Sequence, residues 1–245
     1  MIDLSGKTIL VTGSSRGIGK SVAGLAHSLG AEVICHGSRT SDALAETAGD
    51  LGARTIVFDA YDEQSLRNSA EELRAELAGL DGLVSCAGTL IPVALNQTTF
   101  ADYQEAMQIH LAAPSVLASI MSEHLKRRRG AIVNVASVRS EPMLTSVRSA
   151  PYCTMKSAIH NLSCIQAKEY GPEVRANTVS PGWVETEMAQ SWNEQSRLQA
   201  SSNLLERVAR VEDIAAAVCF LLSDSAGFIT GQNLFVDGGY GLAGK

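Results

Sequence analysis

With 245 residues, 45% of them apolar and 19% charged, the chain is long enough to fill one large core under an ordinary charged surface. A formal charge of −6 repels polyanions, so nucleic acid is not an expected partner, and the longest unbroken apolar stretch, residues 214–222, falls far short of the about 18 residues a membrane-spanning helix needs. Cys35, Cys86, Cys153, Cys164 and Cys219 form no CxxC pair and join no histidine cluster at metal-ligand spacing, which predicts a reduced, cytoplasmic setting and no metal site. The opening MIDLSGKTILVTGSS has no basic leader or small-residue cleavage pattern, and predicts a soluble chain that is not exported.

From one end to the other, short β-branched runs alternate with longer amphipathic stretches, the pattern of βαβ units around a parallel sheet. Strands are predicted at 8–11, 32–36, 54–58, 82–85, 131–136, 175–179 and 233–236. Helices are predicted at 17–29, 41–51, 63–77, 100–126, 152–170, 186–203 and 211–221. No linker, repeat or low-complexity segment interrupts them, so residues 1–245 read as one α/β domain. Its seven-stranded parallel sheet is doubly wound, with helices on both faces and ligands outside the carboxyl ends of the strands. The one dense basic run, Lys126 to Arg129, sits where cations complement a helix C-terminus.

Directly after the first strand comes Thr12-Gly13-Ser14-Ser15-Arg16-Gly17-Ile18-Gly19. A glycine-rich turn from a strand into a helix start is where a pyrophosphate binds, because glycine lets the backbone approach closely and free N–H groups and the helix dipole attract the anion. Tyr152 and Lys156 are four apart, so on a helix the ammonium lies beside the phenol and is expected to draw its pKa down from about 10 towards the working range of an acid–base group. Ser137 closes the fifth strand.

The spacing GxxxGxG after Thr12 resembles the short-chain dehydrogenase/reductase family. Further marks stand in order along the whole chain: Asp59 after the third strand, Ala87-Gly88 after the fourth, Ser137 after the fifth, and Tyr152-Cys153-Thr154-Met155-Lys156. Pro181-Gly182 with Thr186, Ile229-Thr230-Gly231-Gln232 and Val236-Asp237-Gly238-Gly239 complete the set. Within the family the chain resembles 3-oxoacyl-[acyl-carrier-protein] reductases. The resemblance implies a Rossmann-like domain and hydride transfer between C4 of a nicotinamide and a carbonyl or alcohol carbon of a small molecule, with Ser137, Tyr152 and Lys156 catalytic. It also implies a homotetramer or homodimer paired through the two long helices.

The same resemblance places the cofactor against Gly13, Ser15, Arg16, Gly17, Ile18, Gly19, Ser38, Arg39, Asp59, Ala60, Ala87, Gly88, Tyr152, Lys156, Pro181, Gly182, Val184 and Thr186. Where members that use NAD usually carry an aspartate, this chain has Gly37, while Arg16 and Arg39 can hold a 2′-phosphate; NADP(H) is therefore expected over NAD(H). Two positions depart from the family. Ser85-Cys86 stands for a usual Asn-Asn, a mild change. His110 stands for the asparagine of a water-mediated proton relay, and three readings stay open there: a relay in its own right, an impaired route, or a satisfied interior histidine. An impaired route would make the chain an NADP(H)-binding sensor or scaffold without turnover. Beside the substrate, Arg139 or Arg148 could grip an anion or merely decorate the surface. Trp183, Met188 and Trp192 could wall the pocket or simply pack.

Overall fold

The computed structural model describes residues 2–243. Its order is β1 (Thr8–Val11), α1 (Gly17–Ser28), β2 (Glu32–Gly37), α2 (Asp42–Leu51), β3 (Arg54–Val57), α3 (Glu63–Glu76) and β4 (Gly82–Ser85). There follow α4 (Phe100–Met107), α5 (Ala113–Arg128), β5 (Ala131–Val135), α6 (Ala150–Tyr170), β6 (Arg175–Pro181), α7 (Glu194–Ser201), α8 (Val211–Leu222) and β7 (Asn233–Val236). All seven strands are parallel in the order β3-β2-β1-β4-β5-β6-β7. The order reverses between β1 and β4, so the loops that follow these two strands splay apart and open a crevice at their carboxyl ends.

Strand alternation sorts the core onto two faces. Ile9, Val11, Val33, Cys35, Val84, Val133 and Val135 point to one side, against Val22 and Ala26 of α1, Leu44 and Ala48 of α2, and Ile214 and Val218 of α8. Leu10, Ile34, Ile56, Leu83 and Ile132 point to the other, against Leu66 and Leu73 of α3 and Leu117, Met121 and Leu125 of α5. Leu10, Ile34, Leu83, Leu117 and Ile132 are essentially inaccessible, and each contributes about 1.5–3 kcal/mol by leaving water. Among the described residues no helix is long and apolar enough to cross a membrane.

Two predicted helices are divided. The stretch 100–126 runs as α4, one π turn over Gln108–Ala112, and α5. Pro114 is the cause: it has no N–H for the carbonyl four residues back and its ring crowds that turn, so the backbone widens there. The widened turn carries His110. The stretch 186–203 holds a 3-10 turn at Glu187–Ser191 and then α7, because Asn193 caps a fresh helix by accepting the Ser196 N–H at 2.8 Å. α6 starts at Ala150, earlier than predicted, since Pro151 fits a helix's first turn. β6 runs on from Val179 to Pro181 because it pairs with β7 up to Pro181 opposite Val236. The basic run closes α5, where Arg127 donates to the Ala78 carbonyl at 2.8 Å.

Candidate active site

The turn after β1 is held from three sides. Thr12 Oγ1 accepts the Cys86 and Ala87 N–H groups at 3.0 and 3.1 Å, tying the turn to the end of β4. Ser14 Oγ accepts the His36 N–H at 2.8 Å. His36 Nδ1 in turn accepts the Gly13 N–H at 3.0 Å, while its Nε2–H donates to the Phe58 carbonyl at 3.1 Å. With both ring nitrogens committed and the ring buried, desolvation pushes the His36 pKa down to about 4, and the imidazole is neutral. Gly13 has a φ of 67°, and a Cβ there would lie 2.8 Å from the Ala87 Cα. A Cβ on Gly19 would collide with the Gly13 carbonyl. Glycine is thus required on both sides of the turn, which leaves backbone N–H groups facing open space at the start of α1.

That space is a cleft of about 950 Å³ outside the carboxyl ends of the strands. Gly13, Ser15, Arg16, Gly17, Ile18, Gly19, Ser38, Asp59, Ala60, Ala87, Gly88, Pro181, Gly182, Val184 and Thr186 all line it, as do His110, Ser137, Tyr152 and Lys156. Arg39 does not. It is exposed two residues past the end of β2, while its neighbours Gly37 and Ser38 line the cleft. Tyr61 and Glu105 line the cleft too, and were missed. Their one link, a Tyr61 hydroxyl donating to Glu105 at 3.4 Å, joins α4 to the loop after β3 across 44 residues and leaves no local mark in the sequence. His36 was missed as well. Its signal in the sequence is a polar residue directly after the apolar run Val33-Ile34-Cys35.

At the other end Tyr152 and Lys156 share a face of α6, with Lys156 Nζ 5.6 Å from the Tyr152 ring centroid. Lys156 is buried and donates to the Val135 carbonyl at 2.8 Å. Burial brings its pKa down to about 8, against a smaller upward pull from Cys86. The expected depression of Tyr152 is absent. Burial of the phenol outweighs the hydrogen bond from Ser137 and the charge of Arg139, and its pKa is raised. The ammonium is engaged with the Val135 carbonyl and stands over the ring, 5.6 Å from its centroid.

His110 packs edge-on against Tyr152 with centroids 5.4 Å apart, and its Nε2–H donates to the Thr89 carbonyl at 2.9 Å. Its Nδ1 is buried without a hydrogen-bond partner among the described residues. A Cβ on Gly88 would sit 3.2 Å from this Nδ1 and 3.8 Å from Lys156 Nζ, so the two nitrogens face the same glycine. Desolvation, reinforced by the Lys156 charge, pushes the His110 pKa down to about 3. Trp183 and Trp192 meet edge-to-face at 4.9 Å on the far wall; the Met188 side chain lies outside the described residues.

A family model described as Enoyl-(Acyl carrier protein) reductase matches residues 13–241. The 3-oxoacyl-[acyl-carrier-protein] reductase FabG of Haemophilus influenzae is 34% identical over 250 aligned positions, covering 98% of this chain and all (100%) of that protein. The gluconate 5-dehydrogenase of Gluconobacter oxydans is 32% identical over 255 positions, covering 98% and 96%. Among solved structures, a gluconate 5-dehydrogenase from Burkholderia cenocepacia in complex with NADP and tartrate superimposes with a TM-score of 0.90 at 29% identity, over 98% of this chain and 97% of that one. A 3-oxoacyl (acyl-carrier-protein) reductase from Agrobacterium tumefaciens with NADP bound gives 0.89 at 28% identity, over 98% and 96%. The family model spans residues 13–241 and a relative above 30% identity covers nearly the whole length, and the chain belongs to the short-chain dehydrogenase/reductase family.

Proposed function

We propose that this protein is an NADP(H)-dependent oxidoreductase that interconverts a carbonyl and an alcohol on a small molecule, with Tyr152 as the acid–base group. The observation that carries this reading is the meeting, in one cleft, of the glycine turn and the Ser137, Tyr152 and Lys156 set. A dinucleotide fits the residues present. The cleft volume suits it, glycine at 13 and 19 lets the turn pack against Ala87 and the start of α1 without a backbone clash, and the first turn of α1 itself carries no acidic residue. Gly37 supports the choice of NADP. A Cβ there would press on Leu44 Cδ2 at 3.0 Å and the Arg39 carbonyl at 3.2 Å, so the strand end has little room for the carboxylate that pairs with a free 2′-hydroxyl. Arg16 lines the cleft and supplies charge for a phosphate. The 3-oxoacyl reductase relative with NADP bound and the gluconate 5-dehydrogenase with NADP agree with that choice.

The nicotinamide, when bound, supplies the hydride in reduction and takes it up in oxidation. The chain's own residues manage the proton. Ser137 donates a hydrogen bond to the substrate oxygen and so steadies charge that develops there. In reduction Tyr152 gives its hydroxyl proton to that oxygen; in oxidation the phenolate removes it. Lys156, fixed on the Val135 carbonyl, holds the ribose side of the cofactor and can donate a hydrogen bond toward neutral His110, whose Nδ1 is the acceptor because Nε2 carries the ring proton. All 245 residues act as one cofactor-binding domain in this reading. Its assembly as a homotetramer or homodimer follows from the resemblance, and the cytoplasm suits its five free thiols.

The test is NADPH oxidation by purified protein over a panel of ketones, β-ketoacyl thioesters and sugars, beside NADH and a Tyr152→Phe variant. Turnover with NADPH that falls at least about a hundredfold in the variant is expected. Turnover that survives the change, or equal use of NADH, overturns the assignment.

A further inference from the structure

The substrate end of the cleft carries more positive charge than the protein neutralises. Arg139 and Arg148 both line it, and neither forms an ion pair among the described residues. Arg139 is half-buried, donates one Nη1–H to the Leu144 carbonyl at 2.8 Å, and lies with its guanidinium carbon 5.4 Å from the Trp183 ring centroid. This leaves most of its donor fork free. Trp183 Nε1 is buried with no hydrogen-bond partner among the described residues, an arrangement that costs stability unless a ligand supplies an acceptor.

The acidic residues of the cleft lie elsewhere. Asp59 accepts the Tyr61 N–H, Glu105 accepts the Tyr61 hydroxyl, and Glu187 faces Gly17 at the start of α1. All three belong to the dinucleotide end. Around Ser137 the cleft is therefore lined by two guanidinium groups outside any ion pair and by Trp183, whose indole N–H is buried, and no carboxylate lines that end among the described residues.

We infer that the substrate is a short hydroxy acid or oxo acid whose carboxylate is held by Arg139 and the Trp183 indole N–H, with Arg148 at the mouth. This rests on the proposed oxidoreductase reading and narrows it. The reaction is then hydroxy acid plus NADP⁺ giving oxo acid, NADPH and a proton, with the hydride leaving the carbinol carbon and the proton passing to Tyr152. Arg139 follows Ser137 by two residues in a 3-10 turn capped by the Ser137 hydroxyl, so the anion site and the oxygen site share one rigid loop. That proximity favours a carboxylate close to the reacting carbon over one at the end of a long chain. A planar fork beside an indole edge suits the two coplanar oxygens of a carboxylate.

The experiment compares kcat/KM for acids and their uncharged amides, acetoacetate against acetoacetamide and gluconate against gluconamide, with dihydroxyacetone phosphate against dihydroxyacetone as the phosphate arm. Wild-type protein is expected to favour the acids by about tenfold or more, and Arg139→Gln to erase most of that ratio. Trp183→Phe, which keeps the ring and removes the N–H, and Arg148→Gln are expected to reduce it less; they keep the test sound if Arg139→Gln folds poorly. Calorimetric binding of malonate to the protein–NADP⁺ complex gives a readout independent of turnover and should weaken about tenfold in Arg139→Gln. Acids treated no better than amides, a ratio unmoved in all three variants, a preference confined to the phosphate, or no malonate binding would each overturn the carboxylate site. Malonate binding that depends on Arg139, with no turnover of any compound, would keep the site and count against the oxidoreductase reading instead.

Discussion

One ring joins three strand ends: His36 Nδ1 accepts the Gly13 N–H at 3.0 Å while Nε2–H donates to the Phe58 carbonyl at 3.1 Å. The arrangement works only for the neutral ring, because protonation at Nδ1 would set two donors against each other. Folded His36 titrates near 4, and an unfolded histidine near 6.5. Between those values the unfolded state holds the extra proton, so stability falls as pH drops through that window and levels off below it. At pH 5 the loss is about 2 kcal/mol from His36, with a similar share from His110. Urea unfolding at pH 7 and pH 5 measures it. A His36→Phe variant should be less stable by about 1–3 kcal/mol at pH 7, since two buried backbone groups lose their partners, and should show a shallower pH dependence. An unchanged pH dependence in that variant would refute the role.

Much of this was legible beforehand because it is written locally. The alternation that sends Ile9 and Val11 to one face and Leu10 to the other is a period of two in adjacent residues, and Tyr152 and Lys156 share a helix face by their spacing alone. What was hidden is long-range. The place of His36 depends on Gly13, 23 residues away, and that of Glu105 on Tyr61, 44 residues away. The π turn at His110 is an intermediate case: Pro114 marks a disturbance, but a run of apolar residues on both sides masks it. The Tyr152 pKa was misjudged because spacing gives the presence of a cation and not how deeply the phenol is buried.

The two glycines at Gly19 and Gly24 lie on the same helix and should respond oppositely to alanine. At Gly19 a methyl group would collide with the Gly13 carbonyl, whereas nothing lies within 4 Å of a Cβ at Gly24. Gly24→Ala should stabilise the protein by about 0.5–1 kcal/mol, since alanine has the higher helix propensity. Gly19→Ala should weaken NADPH binding beyond about tenfold by moving the turn away from the helix start. Melting curves and fluorescence titration distinguish the two; a Gly19→Ala protein that binds normally would show that the turn is not the phosphate cradle.

Selectivity for the cofactor phosphate should rest on Arg16, which lines the cleft, and not on Arg39, which does not. Arg16→Gln is expected to raise the Kd for NADPH about tenfold and to leave NADH nearly unaffected, as befits loss of one charge-assisted contact. Arg39→Gln should change neither by more than about twofold, the usual consequence of altering a solvated side chain. The reverse pattern would mean that the loop after β2 folds over the cofactor.

Lys156 titrates near 8, so in the free protein its charge is lost as pH rises through that value. An anionic cofactor favours the charged form, and binding therefore takes up a proton at alkaline pH. The Kd for NADPH should be level below about pH 8 and weaken towards tenfold for each further unit. In the free protein burial raises the Tyr152 pKa, so its titration is not the source of this profile. Lys156→Met should bind weakly at all pH values with a flat profile. A wild-type profile that is flat between pH 7 and 9.5 would show that the ammonium takes no part in holding the cofactor.

His110 Nδ1 and Lys156 Nζ flank Gly88, and Nε2–H is spent on the Thr89 carbonyl, so the free ring nitrogen can only accept. If a proton passes between Lys156 and His110, removing the acceptor should slow turnover and leave cofactor binding intact. His110→Phe is expected to lower kcat by about 10²-fold, the usual scale of one acid–base contribution, with the NADPH KM within about twofold. His110→Asn should retain more activity, because an amide can donate to Thr89 and still turn its oxygen toward Lys156. The signature that a packing role would not produce is a solvent deuterium isotope effect on kcat that grows in His110→Asn, as proton supply becomes limiting. A kcat in His110→Phe equal to wild type, with no change in the isotope effect, would reduce His110 to an interior histidine that braces Thr89.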